Sequence, residues 1–194
     1  MHSSAPKPGK LIVFTAPSGS GKTSIAKAVL SERQDVQFSV SATTREAREG
    51  ETHAKDYYFL TPEAFQQHID QGDFVEWEEF YGGKRYGTLK EEVDRIRNAG
   101  KHVLFDVEVK GARSIKEIYG EICLVIFVLP PSMEVLKERL TARATEDAKS
   151  LEMRLKRAEM ELGCANEFDQ IVKNDDLNDA ISHTFRILAD FIGH

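Results

Sequence analysis

The chain has 194 residues, 41% hydrophobic and 30% charged, which excludes a disordered or fibrous protein and favours one globular domain. Its 26 Lys and Arg stand against 32 Asp and Glu, and a net charge of −6 argues against binding long nucleic acid by bulk electrostatics. No run approaches the roughly 20 apolar residues that a membrane span needs, and residues 1–10 lack the apolar region of a signal peptide. We therefore expect a cytoplasmic protein without membrane or long nucleic-acid partners, and leave open whether it is a monomer or a homo-oligomer.

Strand-like and helical patterns alternate along most of the chain. Three apolar runs have the pattern of strands buried on both faces: residues 11–14, 103–105 and 122–129. Helical spacing of apolar residues occurs over residues 23–30, 89–99, 132–141, 150–165 and 176–192. This alternation predicts an α/β fold, with a parallel sheet core and helices on both faces.

The region from about residue 36 to 85 has a different pattern. Short strand-like segments at 57–60 and 74–77 lie between glycine-containing turns, and residues 86–88 are interpreted as another turn. Thr61 before Pro62 predicts a helix start, and Thr88 with Glu91 forms a capping-box pattern ahead of the next helix. Short strands inside an α/β pattern predict an inserted lobe over one end of the sheet.

A phosphate-binding loop pattern follows the first predicted strand, with Ala in place of the usual first Gly. Its residues, with the one that follows, are Ala16, Pro17, Ser18, Gly19, Ser20, Gly21, Lys22, Thr23 and Ser24. The glycines let successive N–H groups turn around a phosphate, and the next helix directs its positive end there. Lys22 can reach the β and γ phosphates and the Thr23 hydroxyl can ligate Mg²⁺. The pattern predicts a nucleoside triphosphate site; the alternative is a plain Gly/Ser connection.

Further segments resemble the guanylate kinase family, which phosphorylates GMP with ATP. In the family's order, from residue 11 to about 180, they are APSGSGKTS, SVSATTREAREGE, KDYYF, FVEWEEF, YG at 86–87, DVEVKGA and VKNDDL. The resemblance implies transfer of the γ-phosphate of ATP to GMP, and also to dGMP, with Mg²⁺, in purine nucleotide metabolism. It further implies a single domain, divided into a core (about 8–35, 89–138 and 166–194), a GMP-binding lobe (about 36–88) and a lid (about 139–165).

The same resemblance assigns the acceptor site to eight residues: Ser41, Arg45, Arg48, Tyr57, Glu76, Tyr86, Thr88 and Glu108. The two arginines and two tyrosine hydroxyls would hold the GMP phosphate, since guanidinium groups fork onto phosphate oxygens. Glu76 would accept the N1–H and 2-amino hydrogens of guanine, with the Ser and Thr hydroxyls toward O6. Glu108 stands where the family has an Asp near the base. Without the resemblance, Arg45 and Arg48 could be a solvated charge pair, and the residues alone favour a surface acid for Glu76 and strand packing for Tyr57.

On the donor side, the resemblance assigns the ATP phosphates to Lys22 and to the lid arginines Arg139, Arg143 and Arg154. Asp106 ends a predicted buried strand, where it would ligate Mg²⁺, directly or through water, together with Thr23. Asn174 and Asp175 match the adenine-side segment. The alternatives are a strand-end turn for Asp106, a solvated helical hairpin for the lid and a turn for the last pair.

Two other functions stay open at this point. A guanylate-kinase-like domain can be a non-catalytic module that binds phosphopeptides, and a kinase of this class can act on another phosphorylated acceptor. The presence of Lys22, Thr23, Arg143 and Arg154 favours catalysis. No Ser-His-Asp or Cys-His set is apparent, and none is needed, because a GMP phosphate is already an anionic nucleophile.

Overall fold

The computed structural model describes residues 6–80, 82–143 and 148–193. The strands in this part of the chain are β1 (Leu11–Thr15), β2 (Val36–Phe38), β3 (Ala42–Thr43), β4 (Tyr58–Phe59), β5 (Phe74–Phe80), β6 (Lys84–Leu89), β7 (His102–Val107), β8 (Cys123–Leu129) and β9 (Gln170–Lys173). The helices are α1 (Lys22–Glu32), α2 (Pro62–Asp70), α3 (Lys90–Asn98), α4 (Val109–Tyr119), α5 (Met133–Arg143), α6 (Ala148–Gly163) and α7 (Leu177–Ile192).

A parallel five-stranded sheet forms the core, in the order β2-β7-β1-β8-β9. Every residue of β1 is buried, as expected for a central strand covered on both faces. Alternate residues face opposite helices: Ile12 packs in the cluster that contains α1 and α7, and Val13 in the cluster that contains α3 and α4. The predicted α/β fold, with helices on both faces of a parallel sheet, is confirmed.

The strand order places a crevice at the carboxyl ends of the central strands. From β1 the chain leads through α1 to the edge strand β2, whereas from β7 it crosses β1 to reach β8 on the other side. Parallel sheets bind ligands where neighbouring connections leave in opposite directions. The loop after β1 and the residues that end β7 therefore share one edge of the sheet.

A second sheet, in the order β4-β3-β6-β5, is the predicted inserted lobe. Its core is formed by Ala42 with Phe65 and Phe74, whose rings stack with centroids 4.4 Å apart. Thr61 caps α2 by accepting from the Ala64 N–H, and Pro62 takes the first helical position, as predicted.

Three local predictions in and around this lobe are corrected. Residues 36–38 pair with β7 in the five-stranded sheet, so they belong to the core and not to the lobe predicted at about 36–88. Residues 86–88 are part of strand β6 and not a turn, because they pair with β3 and β5. Thr88 does not cap α3: Leu89 precedes the helix without a side-chain cap, and the Thr88 hydroxyl donates to Glu76 instead.

Helices α5 and α6 form a pair beside the phosphate loop, in the region predicted as the lid. Leu136, Leu140 and Ala158 are buried between them, with Leu151 and Leu155 packed against this cluster. Residues 144–147, which join the two helices, lie outside the described residues. No helix in the part of the chain that the structure describes is long and apolar enough to cross a membrane.

Candidate functional site

The loop between β1 and α1 has the backbone shape that binds a phosphate. Gly19 and Gly21 have φ values of 90° and 93°, in the left-handed region, and α1 begins at the next residue. The buried side-chain amide of Asn174 donates to the Ser20 carbonyl over 2.7 Å, and a Cβ on Gly21 would overlap that amide. Asn174, at the end of β9, therefore braces the loop, while the neighbouring Asp175 is exposed.

Lys22, Thr23 and Asp106 meet at the crevice. The Lys22 ammonium lies 2.6 Å from one oxygen of Asp106 and donates to the Val107 carbonyl over 3.1 Å. The Thr23 hydroxyl donates to the other Asp106 oxygen over 3.0 Å. Among the described residues no group of three or more His, Cys, Asp or Glu could hold a metal ion. One hydroxyl and one carboxylate nevertheless suit Mg²⁺, which keeps several waters and shares phosphate oxygens with few protein ligands.

Glu76 projects from β5 into a second part of the crevice, where Thr88 of the adjacent strand donates to its Oε1 over 2.7 Å. Helix α4 approaches closely here, since a Cβ on Gly111 would lie 3.0 Å from Oε2 of Glu76. Burial raises the pKa of Glu76, and the Thr88 hydrogen bond opposes this without cancelling it. The site is thus a partly desolvated carboxylate beside a hydroxyl, suited to accept hydrogens from a planar donor edge.

Arg45 is held in a fixed orientation in the same lobe. Its guanidinium forms a two-pronged ion pair with Glu51, both distances being 2.9 Å, and lies over the ring of Tyr57 at 5.2 Å. The bond to Glu51 raises the pKa of Arg45. The rings of Tyr57 and Tyr86 are 6.1 Å apart, and both line the cleft. Arg48 is exposed nearby, with its backbone N–H bonded to Glu51.

A cleft of about 810 Å³ is lined both by Lys22 and Thr23 at the phosphate loop and by Glu76, Tyr57 and Tyr86 of the second sheet region. Of the predicted site residues, it is lined by Lys22, Thr23, Ser41, Tyr57, Glu76, Tyr86, Asp106, Glu108 and Arg154. Its size is in the range of small-molecule sites. The structure therefore brings the phosphate loop and the Glu76 region, more than 50 residues apart in sequence, to two ends of one opening.

The predicted lid arginines occupy different places. Arg139 donates to the Gly19 carbonyl of the phosphate loop over 3.2 Å, and Arg154 lines the cleft from α6. Arg143 ends α5, and its side chain lies outside the part of the chain that the structure describes. Arg154 thus adjoins the cleft, whereas Arg139 contacts the phosphate loop.

Several residues that the sequence did not single out belong to the site. Arg157 on α6 contacts both Glu78 and Glu108, which line the cleft. Its position three residues after Arg154 was an available signal, because residues at this spacing share a helix face. Glu51 occurs in the family segment SVSATTREAREGE, but nothing in the sequence indicates that it pairs with Arg45.

The sheet order, the glycine loop before α1 and the Lys–Thr–Asp group define a P-loop α/β protein that binds nucleotide phosphates. The family model for guanylate kinase matches residues 8–191, and this chain belongs to the guanylate kinase family. It is 48% identical over 185 residues to the guanylate kinase of Chlorobium chlorochromatii, covering 95% of this chain and 97% of that one. It is 49% identical over 182 residues to that of Salinibacter ruber, covering 94% and 96%.

The fold is similar to a solved structure of the same family. The crystal structure of guanylate kinase from Anaplasma phagocytophilum superposes with a TM-score of 0.75 and 29% sequence identity. The match covers 97% of this chain and 89% of that chain. The likeness extends over the core sheet, the inserted lobe and the helical pair together, because little of either chain is left out.

Proposed function

We propose that this enzyme transfers the γ-phosphate of ATP to GMP, giving ADP and GDP, and that it accepts dGMP as well. The observation that carries the proposal is the single cleft with the Lys22 loop at one end and the Glu76–Thr88 pair at the other. The Lys22 loop would bind ATP and the Glu76–Thr88 pair would bind GMP, so the cleft would hold both substrates together. The family membership supports the same reaction.

The acceptor end selects guanine through hydrogen-bond complementarity. An ionised Glu76 accepts from N1–H and the 2-amino group, while Thr88 and Ser41 offer hydroxyls toward O6. Adenine has an acceptor at N1 and no 2-amino group, so it would leave the partly buried carboxylate facing a lone pair. Glu108, which lines the cleft just before α4, is proposed to adjoin the base.

The phosphate of GMP would lie among Arg45, Arg48 and the hydroxyls of Tyr57 and Tyr86. Glu51 holds the Arg45 guanidinium in place, so less conformational freedom is lost when a phosphate binds. The GMP phosphate has a second pKa of about 6 and is its own nucleophile, so the reaction requires no general base. The protein has to align it with the γ-phosphate of ATP and exclude water.

The donor end binds ATP through the loop N–H groups, Lys22 and the arginines of the helical pair. Arg139, Arg143 and Arg154 are proposed to neutralise charge on the transferred phosphoryl group, as Lys22 does from the loop. Asn174 braces the phosphate loop and, with Asp175, adjoins the proposed adenine side. Thr23 and Asp106 would hold Mg²⁺, directly or through water, and the ion would neutralise phosphate charge.

The non-catalytic phosphopeptide-binding alternative is not favoured, since the relatives found across nearly the full chain are guanylate kinases. The cytoplasmic location, the role in purine nucleotide metabolism and the absence of membrane and long nucleic-acid partners remain predictions from the sequence. So does the division into core, GMP-binding lobe and lid, with the lobe beginning after residue 38.

The test is an ADP-release assay with ATP and Mg²⁺ against GMP, dGMP, AMP, dTMP and UMP, with and without a chelator. We expect turnover with the two guanine nucleotides only, lost on chelation. Turnover with a different monophosphate would favour the alternative acceptor, and GMP binding without any turnover would favour the binding module.

A further inference from the structure

An arginine outside the proposed substrate contacts joins three parts of the molecule. Arg157 lies on α6, and its Nη2 donates to Glu78 of β5 over 3.2 Å and to Glu108, which precedes α4. Its Nε donates to Glu161, one turn later on α6, over 3.0 Å. One guanidinium therefore links the helical pair to the inserted lobe and to the end of the central sheet.

These groups are partly withdrawn from water. The exposed fraction of the Arg157 side chain is 35%, and those of Glu78, Glu108 and Glu161 are 23%, 34% and 12%. The Arg157 guanidinium also lies 5.8 Å from the centre of the Phe80 ring, on the same strand as Glu78. Ion pairs in such surroundings are screened less than pairs on an open surface. The ion pairs of Arg157 can therefore fix the positions of the three carboxylates.

The titration behaviour of the cluster agrees with this geometry. Burial raises the pKa of Glu161, although the Arg157 hydrogen bond lowers it. Burial acts to lower the pKa of Arg157, but the bonds and charges of Glu161 and Glu78 outweigh it and raise that pKa. Glu161 and the Arg157 guanidinium therefore stabilise each other's charged forms.

The charge balance matters because two of the carboxylates face the cleft. Glu78 and Glu108 both line it, and the proposed acceptor brings a phosphate dianion into the same space. Without Arg157, the two cleft carboxylates Glu78 and Glu108 would be left near that dianion with less compensation. A lysine could supply the charge but not the fork of donors that reaches three acids at once.

We propose that Arg157 is a positioning residue for GMP, which acts through Glu78 and Glu108 by holding both carboxylates and offsetting their charge in the acceptor cleft. This inference rests on the proposed function and deepens it. It differs from the role proposed for Arg154, which itself lines the cleft and would contact ATP phosphates. The contribution of Arg157 falls on the acceptor end, so it affects GMP more than ATP.

The experiment is steady-state kinetics on the full chain for Arg157→Gln, Arg157→Lys and the control Lys156→Gln. Lys156 is the adjacent cation on α6, exposed, and it pairs with Glu152 one turn earlier on the same helix. We expect Arg157→Gln to raise the KM for GMP about tenfold, with the KM for ATP within about twofold and kcat largely recovered at saturating GMP. Arg157→Lys should recover part of the loss, and Lys156→Gln should resemble the parent chain.

A double variant separates positioning from a general loss of structure. When Arg157→Gln is added to Glu78→Gln, the KM for GMP should rise no more than about threefold. The reason is that the Glu78 charge, which Arg157 would otherwise offset, is already absent. Equal increases in the KM for ATP and GMP, an unchanged KM for GMP, or no coupling with Glu78 would overturn the proposal. Thermal melts of each variant report folding, and Arg157→Lys carries the test if Arg157→Gln does not fold.

Failure of this inference is distinguishable from failure of the proposed function. The parent chain is assayed first, and an absence of GMP turnover there contradicts the function before any variant is made. Normal GMP turnover in the parent with an unchanged KM in Arg157→Gln contradicts the role of Arg157 alone.

Discussion

Lys22 is anchored at the donor end of the cleft by Asp106 and by the Val107 carbonyl. We expect Lys22→Ala to lower kcat about 10³-fold, because a cation aimed at the transferred phosphoryl group is lost. GMP affinity should change less than about threefold, since the groups proposed to bind it lie at the other end. ADP release and calorimetric GMP titration measure the two effects, with the exposed Lys27→Ala on the same helix as control. Equal loss of turnover and of GMP binding would contradict the assigned role.

Glu76 is the residue proposed to distinguish guanine from adenine. Replacing it with Gln keeps the size but presents an N–H to the donor edge of guanine, so kcat/KM for GMP should fall about 10²-fold. The residual activity with AMP should not fall in parallel. Competition between GMP and AMP measures the ratio, and Glu79→Gln on the same strand, an exposed position, serves as control. An unchanged preference for GMP would show that the carboxylate does not contact the base.

The raised pKa of Glu76 predicts a pH dependence of GMP binding. Burial is its main cause and the nearby Glu78 adds to it, while Thr88 and Lys110 act in the opposite direction. Only the ionised carboxylate accepts both guanine hydrogens, so the KM for GMP should rise as the pH falls through this raised value. The GMP phosphate also titrates, at about pH 6, but it does so equally when the enzyme is the Glu76→Gln variant. The KM for GMP of Glu76→Gln divided by that of the parent chain should therefore approach one at acid pH. A ratio that does not change with pH would contradict the role of Glu76 in binding guanine.

At the scale of elements, the close approach of α4 to β5 shapes the base site. A Cβ on Gly111 would lie 3.0 Å from the Glu76 carboxylate, so Gly111→Ala forces the carboxylate to shift by a few tenths of an ångström. We expect a rise of about fivefold in the KM for GMP, with the KM for ATP unchanged. Gly163→Ala is the matched control, because it is also helical and has nothing within 4 Å of the added methyl group. A similar KM in both variants would show that Glu76 tolerates the displacement.

At the scale of the whole molecule, Glu92 connects the inserted lobe to the core. This carboxylate is 2% exposed, and it accepts from the Tyr58 hydroxyl over 2.9 Å, from the Val40 N–H over 3.3 Å and from Arg95 over 2.8 Å. Val40 lies in the connection between the two sheets. One buried acid thus joins strand β4, this connection and helix α3.

We expect Glu92→Ala to lower the free energy of unfolding by about 3 kcal/mol, because it leaves two partly buried donors, the Tyr58 hydroxyl and the Val40 N–H, without this acceptor. The exposed neighbour Glu91→Ala should change it by less than about 0.5 kcal/mol. Urea denaturation of both variants measures the difference. Equal effects would show that the connection between lobe and core does not depend on this carboxylate.

Features that depend only on neighbouring residues could be predicted from the sequence. The phosphate loop was predictable because its glycines, Lys22 and Thr23 are contiguous, and the backbone between a strand and a helix restricts where they point. The buried strands and most helices followed from apolar periodicity, and the family was identified by short segments in a fixed order. Even the cap of α2 was readable, since Thr61 and Pro62 act on the first turn that follows them.

The tertiary structure alone decided which distant residues meet. Thr88 satisfied the local pattern of a helix cap, but strand β6 pairs it with Glu76, and a hydrogen bond inside the cleft replaces the cap. Strand β6 was not predicted, because its polar sequence lacks the alternating apolar residues that indicate a strand. Its pairing with β3 and β5 also cannot be derived from the periodicity of the sequence. Arg157 meets Glu78 across 79 positions of the chain, and Glu92 meets Val40 across 52. Contacts of this kind depend on strand register and helix packing, which patterns of single residues do not encode. The contacts of Arg157 and Glu92, which join the lobe to the helical pair and to the core, could therefore be found only in the folded chain.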